Sequence, residues 1–206
     1  MTVSDPDTMA PPGVITGDEF KAEMRAALPH LRAFARNLAR DAERGDDIVQ
    51  EAMLKAWAAR DRFTPGTSFK AWLFVIARNI FLSEMRRAKF HGEYDPDAAA
   101  KILVTPASQT DTVALGDLQR ALYQLPLQQR EALLLVGAGE LAYEEAALIC
   151  DCAVGTIKSR VSRARAALET ILESGILDHT RANSPAASQA FDSILAAVPT
   201  VLDSDR

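Results

Sequence analysis

Residues 141–168 read LAYEEAALICDCAVGTIKSRVSRARAAL, which is two short helical patterns joined by a turn at 150–153. Small residues such as Ala146 and Ala147 fill the first pattern and allow the second helix to cross it closely. The second pattern holds four Lys or Arg within eight residues and no acid between Cys152 and Leu168. A close helix pair with a basic second member is typical of a helix-turn-helix. The stretch therefore predicts an all-α unit that presents its second helix to nucleic acid.

One side of that second helix has the chemistry to contact DNA. Lys158, Ser159, Ser162 and Arg163 share a face by their spacing, while apolar residues occupy the opposite side. Cations can pair with phosphates, and hydroxyls and Arg forks can reach base edges. The predicted contacts with an upstream DNA element are Thr156, Lys158, Ser159, Arg160, Ser162, Arg163 and Arg165. The alternative interpretation is that these cations form an ordinary solvated surface. An isolated run of cations would favour that alternative, but the helix and turn that precede this run favour contact with DNA.

Composition places the chain among globular proteins without a membrane span. It has 206 residues, of which 48% are hydrophobic and 25% charged. No apolar run approaches the roughly 18 residues that span a bilayer. The N-terminal MTVSDPDTMAPPGV has neither the basic nor the apolar region of a signal peptide. We therefore expect a cytoplasmic protein with no membrane partner.

Residues that carry catalysis or hold metals are scattered. Cys150 and Cys152 are too close in sequence for a good disulfide, and nothing nearby completes a zinc site. His30, His91 and His179 lie far apart, and no catalytic triad, acid pair or phosphate-binding glycine motif is present. The sequence predicts no enzyme, no metal and no cofactor.

The net charge of −5 is unevenly distributed along the chain. Residues 1–19 hold four acids and no bases, and residues 170–206 hold five acids and two bases. The remaining segment, 20–169, holds 21 bases and 19 acids. Charges separated by more than a Debye length of about 10 Å are largely screened, so local clusters matter more than the total charge. We expect weak binding to DNA by the chain alone and a need for a partner.

Helical periodicity organises the N-terminal half. Residues 1–16 are predicted to be disordered, and the spacing of Thr16 and Glu19 predicts a capping box. A helix is predicted over 18–27, and a second one begins at Pro29, since proline suits a first turn. Gly45 and Asp46 are predicted to lie in a break that precedes a third helix over 47–59. The predicted core residues of that third helix are Ile48, Val49, Ala52, Met53, Ala56 and Trp57.

A turn at 64–67 precedes a long helix that Ser68 caps and that runs to about Ala88. Its predicted inward residues are Trp72, Leu73, Val75, Ile76, Ile80 and Phe81. A predicted linker over 91–113 contains acids and prolines. Helices over 117–125 and 126–136 follow it. The acidic tail, 174–206, contains a short amphipathic pattern that predicts either a fold-back helix or a partner-binding segment.

The C-terminal pattern Y-E-E-A-A-x-I-C-x-C-x-V-G-T-I-K-S-R-x-x-R-A-R resembles region four of bacterial RNA polymerase sigma factors of the extracytoplasmic-function (ECF) type. Many relatives carry proline where this chain has Ala153, which loosens the turn slightly. DDIVQEAMLKAW resembles sigma region 2.2. That resemblance implies docking on the β′ clamp of polymerase by Asp47, Gln50, Glu51 and Leu54.

FKAWLFVIARNIFLSEMRRAK resembles sigma regions 2.3 and 2.4. The resemblance implies capture of an unstacked base of the promoter minus-ten element, with cations holding the backbone and an aromatic ring or histidine on the base. The implied contacts are Arg78, Asn79, Arg86, Arg87, Lys89, Phe90 and His91. A structural alternative is that these cations complement the C-terminal dipole of the helix.

The resemblance covers about 20–172 and implies two all-α domains, region 2 over 17–90 and region 4 over 114–173. The amino-acid sequence resembles that of the EcfG group, which serves the general stress response. It implies binding to core RNA polymerase at the β′ clamp and the β flap, to promoter DNA and to an inhibitory NepR-type anti-sigma protein, by a chain that is monomeric when free. One alternative is a sigma mimic of the PhyR type that sequesters the anti-sigma protein without binding DNA. Another is an ordinary helix-turn-helix regulator of duplex DNA.

Overall fold

The computed structural model describes residues 15–90 and 112–173, and every regular element in these residues is helical. Three helices form the N-terminal unit and four form the C-terminal unit. The helices are α1 Gly17–Ala39, α2 Ala42–Ala58, α3 Phe69–Phe90, α4 Thr112–Gln124, α5 Leu127–Val136, α6 Tyr143–Cys150 and α7 Val154–Glu173, with a 3-10 turn at Arg60–Arg62. The predicted all-α class is confirmed. The predictions for the disordered N-terminus, for most of the linker and for the acidic tail lie outside the described residues.

Helix α1 is continuous, which corrects the predicted break at Pro29. Its start is as predicted, because the hydroxyl of Thr16 accepts from the backbone N–H of Glu19 and the carboxylate of Glu19 accepts from the N–H of Thr16. Pro29 lies on the exposed side of the helix. The buried stripe continues past it, with Leu31 and Phe34 fully enclosed. Packing of this stripe outweighs the cost of about 3 kcal/mol that an interior proline imposes.

Helix α2 begins at Ala42, five residues before the predicted start. Asp41 caps it by accepting from the N–H of Arg44, after Arg40 turns the chain in a left-handed conformation with φ of 60°. Gly45 therefore does not lie in a break between helices, as predicted, but inside α2. It is buried where α2 crosses α1, and an added Cβ would lie 2.5 Å from the Cα of Arg36.

Aromatic side chains join the three helices of the N-terminal unit. The ring of Phe20 is fully buried and packs edge-on against Trp57, Phe63, Phe69 and Trp72, with centroids 5.0–6.4 Å apart. Ser68 caps α3 as predicted, accepting from the N–H of Ala71.

The core of α3 differs in part from the prediction. Leu73, Ile80 and Phe81 are buried as expected, whereas Trp72, Val75 and Ile76 are only partly buried. Phe74 and Ala77 are fully buried and were not predicted. The stripe of α3 is wider than expected because the C-terminal unit covers a second side of this helix.

The C-terminal unit is built around α5, every residue of which is buried from Arg130 to Val136. Helix α4 begins at Thr112, so the last two residues of the predicted linker are helical. Helix α6 ends at Cys150, and Asp151 turns the chain with φ of 52° into α7. The helix-turn-helix prediction is confirmed.

The two units pack against each other, and their buried residues form one continuous hydrophobic cluster. Helices α1 and α3 contact α5 and α6. Polar groups cross the contact as well: Arg130 donates to the carbonyl of Leu38, and Nδ1 of His30 lies 3.1 Å from the carbonyl oxygen of Ala138.

Candidate nucleic-acid and protein interfaces

The outer face of α7 presents cations and hydroxyls, as predicted. Lys158, Ser162 and Arg163 are exposed. The opposite face supplies the core through Ile157, Val161, Ala164 and Leu168. Since the buried face fixes the rotation of the helix, the three polar side chains point outward together. This arrangement suits insertion into a DNA major groove.

Hydrogen bonds along the helix orient the central arginine of this face. The hydroxyl of Ser159 donates to the carbonyl of Thr156 at 3.0 Å. Nη2 of Arg163 donates to the same hydroxyl oxygen at 3.1 Å. This bond favours one orientation of the guanidinium before any ligand arrives, and such preorganisation lowers the entropic cost of binding. Ser159 is half-buried and acts as the support of Arg163.

Arg160 lies at the side of the face and is held by other parts of the C-terminal unit. Nη2 donates to Oε1 of Gln128 at 3.2 Å, and Nη1 lies 3.9 Å from Sγ of Cys152. An open cleft of about 550 Å³ adjoins it, lined by Pro126, Leu127, Gln128, Gln129, Thr156, Arg160 and Arg163. The glutamines were not among the predicted site residues. No sequence signal connects them to α7, because α5 is about thirty positions away.

Arg165 belongs to the packed flank of α7 rather than to its open face. It is half-buried, and its Nε and Nη2 are enclosed without a hydrogen-bond partner in the part of the chain that the structure describes. It follows Val161 by four positions, which places it beside the buried stripe. Arg165 was predicted to contact DNA, but the structure does not place it among the exposed side chains of α7.

The turn between α6 and α7 is built from backbone hydrogen bonds. The N–H of Cys152 donates to the carbonyl of Ala147, and the N–H of Thr156 donates to that of Ala153. Ala153 thus forms the first turn of α7 without the proline of many relatives. Both cysteines are free thiols. Burial, followed by the negative charge of Glu131, raises the pKa of Cys150 to about 12, so this thiol stays protonated. Among the described residues no three candidate ligands come together to hold a metal ion.

The C-terminal end of α3 carries a second basic surface. Arg86, Arg87, Lys89 and Asn79 are exposed, and the ring of Phe90 is 94% exposed. A bare aromatic ring beside three cations is the combination that stacks on and pairs with single-stranded nucleic acid. His91 lies outside the described residues.

Arg78 departs from its predicted place on this basic outer side. Its guanidinium donates to both carboxylate oxygens of Glu131 at 2.8 and 3.5 Å. The two side chains are only 17% and 5% exposed. Burial lowers the pKa of Arg78, but the hydrogen bond and charge of Glu131 outweigh it and raise the pKa overall. The periodicity of α3 could not reveal this, because Glu131 is 53 positions away.

The outer face of α2 presents one large apolar side chain among polar ones. Leu54 is 71% exposed, Asp47 and Gln50 are exposed, and Glu51 is half-buried and paired with Lys55 at 2.7 Å. Trp57, predicted to lie in the core, is instead 37% exposed and stands at the edge of this face. An exposed leucine with a neighbouring tryptophan and a polar rim is typical of a protein interface.

Comparisons with known proteins agree with this geometry. The family model of sigma-70 region 2 matches residues 24–91, and that of sigma-70 region 4 matches residues 115–168. The chain is 48% identical over 155 residues to the ECF RNA polymerase sigma factor EcfG of Rhodopseudomonas palustris, covering 75% of this chain and 86% of that protein. It is 34% identical over 161 residues to the ECF sigma factor SigM of Mycobacterium tuberculosis, covering 77% and 80%.

Solved structures share the fold as well, and two of them are complexes with a protein partner. One is the sigma factor RpoE in complex with the anti-sigma factor NepR from Bartonella quintana, with a TM-score of 0.64, 42% identity, and coverage of 76% of this chain and 98% of that chain. The other is CnrH in complex with the cytosolic domain of CnrY, with a TM-score of 0.58, 26% identity, and coverage of 77% and 90%. Within 15–90 and 112–173 no helix has the length and hydropathy to cross a membrane. The chain belongs to the ECF sigma factors of bacterial RNA polymerase.

Proposed function

We propose that this protein binds core RNA polymerase and directs it to promoters. The observation that carries the proposal is the exposed face of Lys158, Ser162 and Arg163 on the second helix of a sigma region 4, in which Arg163 is bonded to the hydroxyl of Ser159. A second surface, on α2 of region 2, offers Leu54 and its polar rim to a protein partner. One chain that joins a DNA-reading helix to a protein-docking helix fits a specificity subunit that acts by binding and not as an enzyme.

The proposed control is a small anti-sigma protein of the NepR type, and the proposed targets are general stress-response genes. Both rest on the similarity to EcfG and to the RpoE of the NepR complex. The site of action is the cytoplasm, where polymerase and promoters are found.

The decisive experiment is transcription in vitro with core polymerase and a library of genomic fragments. A sigma factor produces transcripts that start at discrete sites only when the chain is added. Tight binding to an anti-sigma protein without any initiation would instead identify a sigma mimic. Binding to duplex fragments without polymerase would identify an ordinary helix-turn-helix regulator.

Removing the polar rim of α2 tests the docking surface. We expect the double variant Gln50→Ala/Glu51→Ala to weaken binding to core polymerase and to leave anti-sigma binding less affected. Both positions lie beside the exposed Leu54, and a loss of about 1 kcal/mol, that is about fivefold in affinity, separates interface residues that contribute to binding from neutral ones. The measurement is a titration of labelled core polymerase, with Glu43→Ala at the start of the same helix as a control. Unchanged polymerase binding would remove α2 from the interface.

Substitution of Arg163 tests the DNA surface. If Arg163 reads a base, Arg163→Ala should cost about 1–3 kcal/mol at one upstream promoter position and spare other sequences. If it contacts only phosphate, the loss is uniform and the slope of log K against log salt falls by about 0.9. Arg163→Lys is the matched control, because it keeps the charge and removes the fork that reads guanine. Full retention of promoter selectivity and salt slope in Arg163→Ala would contradict both roles.

A further inference from the structure

A cleft on the flank of α7 adjoins the exposed basic face of this helix. Thr156, Arg160 and Arg163 are spaced i, i+4 and i+7 and form one wall of the cleft. The start of α5, from Pro126 to Gln129, forms the other wall. Because Thr156 and Arg163 also belong to the predicted DNA contacts, a ligand that lies against α7 borders the cleft as well.

Only neutral and cationic residues line this cleft in the part of the chain that the structure describes. Its volume is about 550 Å³, and its walls contain two guanidinium groups and two side-chain amides but no carboxylate. The first turn of α5 has no acid either. Guanidinium groups can only donate hydrogen bonds, and no internal anion neutralises them here. Such a surface suits a ligand that carries negatively charged oxygens.

Arg160 determines which end of the Gln128 amide is free to bind a ligand. Nη2 of Arg160 donates to Oε1 of Gln128 at 3.2 Å, and Nη1 lies 3.9 Å from Sγ of Cys152. Because a guanidinium cannot accept, the amide must turn its oxygen toward Arg160 and its NH₂ group away from it. That NH₂ group has no acceptor within 15–90 and 112–173. Gln128 therefore offers the cleft a donor next to a cation.

The dimensions of the DNA major groove indicate what would lie against this flank. The groove is about 12 Å wide, and a helix with its side chains is about 10–12 Å across. A recognition helix that fills the groove therefore turns its outward face to the base edges and its flanks to the sugar–phosphate backbones. Ser162 and Arg163 are exposed on the outward face, whereas Arg160 is half-buried on the flank.

We propose that this cleft binds a phosphate group of the promoter backbone, with Gln128 and Arg160 as its donors. The proposal rests on the proposed function and deepens it in two ways. It adds α5 to the DNA surface through Gln128, and it assigns Arg160 to the backbone instead of to a base. Contacts of this kind fix the position of a recognition helix on the duplex and carry no sequence information themselves.

The variant Gln128→Glu separates a role in DNA binding from a role in structure. The glutamate keeps an oxygen for Arg160, and the helix dipole favours an acid in the first turn of α5. The free variant should therefore melt at the same temperature as the unmodified protein or at a higher one. It also replaces an amide donor by an anion. Its complex with core polymerase should bind promoter DNA about tenfold more weakly or worse, the effect of losing a hydrogen bond to a charged group.

Thr170→Glu is the matched control, because it makes the same change in net charge at an exposed position of α7. Thr170 lies ten residues beyond Arg160, which is about 15 Å along the helix and exceeds the Debye length of about 10 Å at 0.1 M salt. Its complex with core polymerase should bind promoter DNA as the unmodified protein does. Equal promoter affinities of Gln128→Glu and Thr170→Glu would overturn the proposal.

Neutral phosphates placed one at a time in the duplex locate the contact. Each methylphosphonate in the upstream element removes the charge of a single phosphate. At the phosphate that the cleft binds, this change should weaken binding of the unmodified protein and have little further effect on Gln128→Glu, because groups in contact are not additive. If every methylphosphonate weakens both proteins by the same factor, the proposal is overturned.

A phosphate group can also come from a free anion, and the same variant distinguishes the two sources. Inorganic phosphate is titrated into the free chain while the side-chain amide NMR signal of Gln128 is followed. Binding of inorganic phosphate together with an unchanged promoter affinity of Gln128→Glu would assign the cleft to a free anion and overturn the proposal. Failure of the proposed function has a different result, because the unmodified protein then forms no promoter complex with core polymerase.

Discussion

Gly45→Ala is expected to destabilise the protein, although alanine is a better helix former than glycine. Gly45 lies inside α2, where the exchange alone would stabilise a helix by about 1 kcal/mol. The added methyl would, however, lie 2.5 Å from Cα and 2.7 Å from N of Arg36 in α1. These are backbone atoms that cannot rotate away, so the two helices must move apart along their crossing.

The expected net loss is about 1–3 kcal/mol in the free energy of unfolding, which is the range for an overfilled core. Separation of α1 and α2 would also disturb Asp46, the neighbour of Gly45. Its carboxylate is held by Arg36 at 2.6 Å, and this hydrogen bond with the charge of Arg36 lowers the pKa of Asp46. The helix crossing and the ion pair beside it are therefore lost together.

Denaturant unfolding followed by circular dichroism measures this effect. Gly116→Ala in α4 is the matched control, because the position is helical and an added Cβ meets nothing within 4 Å. The control should become more stable by up to about 1 kcal/mol. Equal stabilisation of both variants would contradict the close crossing of α1 and α2.

Gly45 also shows why sequence analysis succeeded at some points and failed at others. The capping box of Thr16, the cap at Ser68 and the turn before α7 were predicted because all their partners lie within a few residues. Gly45 was interpreted as a break because glycine disfavours helices, and the reason for its presence lies on another helix. Local propensity carried no information about that neighbour.

Pro29 and Arg78 were misplaced for the same physical reason. Proline lowers helix stability by a known amount, but the buried stripe of α1 that outweighs this cost is a property of the whole N-terminal unit. Arg78 is on the polar side of α3 by periodicity alone. Its burial exists only because Glu131 arrives from the C-terminal unit. The exposure of Lys158, Ser162 and Arg163 on α7 was predictable, since one helix and its own core determine it.

Removal of Glu131 is the other change with a large expected effect. Its carboxylate accepts two bonds from Arg78 and lies 3.7 Å from Sγ of Cys150. Loss of one partner of a buried ion pair leaves the other charge without compensation and costs about 3–5 kcal/mol. We expect Glu131→Ala to lower stability by an amount near this range, because Arg78 is only 17% exposed.

The double variant Arg78→Met/Glu131→Leu shows whether Glu131→Ala loses stability because a buried charge is left unpaired or because packing is lost. It removes both charges and fills the same space, and replacement of a buried pair by apolar residues is often neutral or stabilising. Its stability should therefore return to that of the unmodified protein or exceed it. Denaturant unfolding of the two variants and of Arg78→Met provides the comparison. If the double variant is as unstable as Glu131→Ala, packing and not charge pairing holds α3 to α5, and the carboxylate is not what keeps the units together.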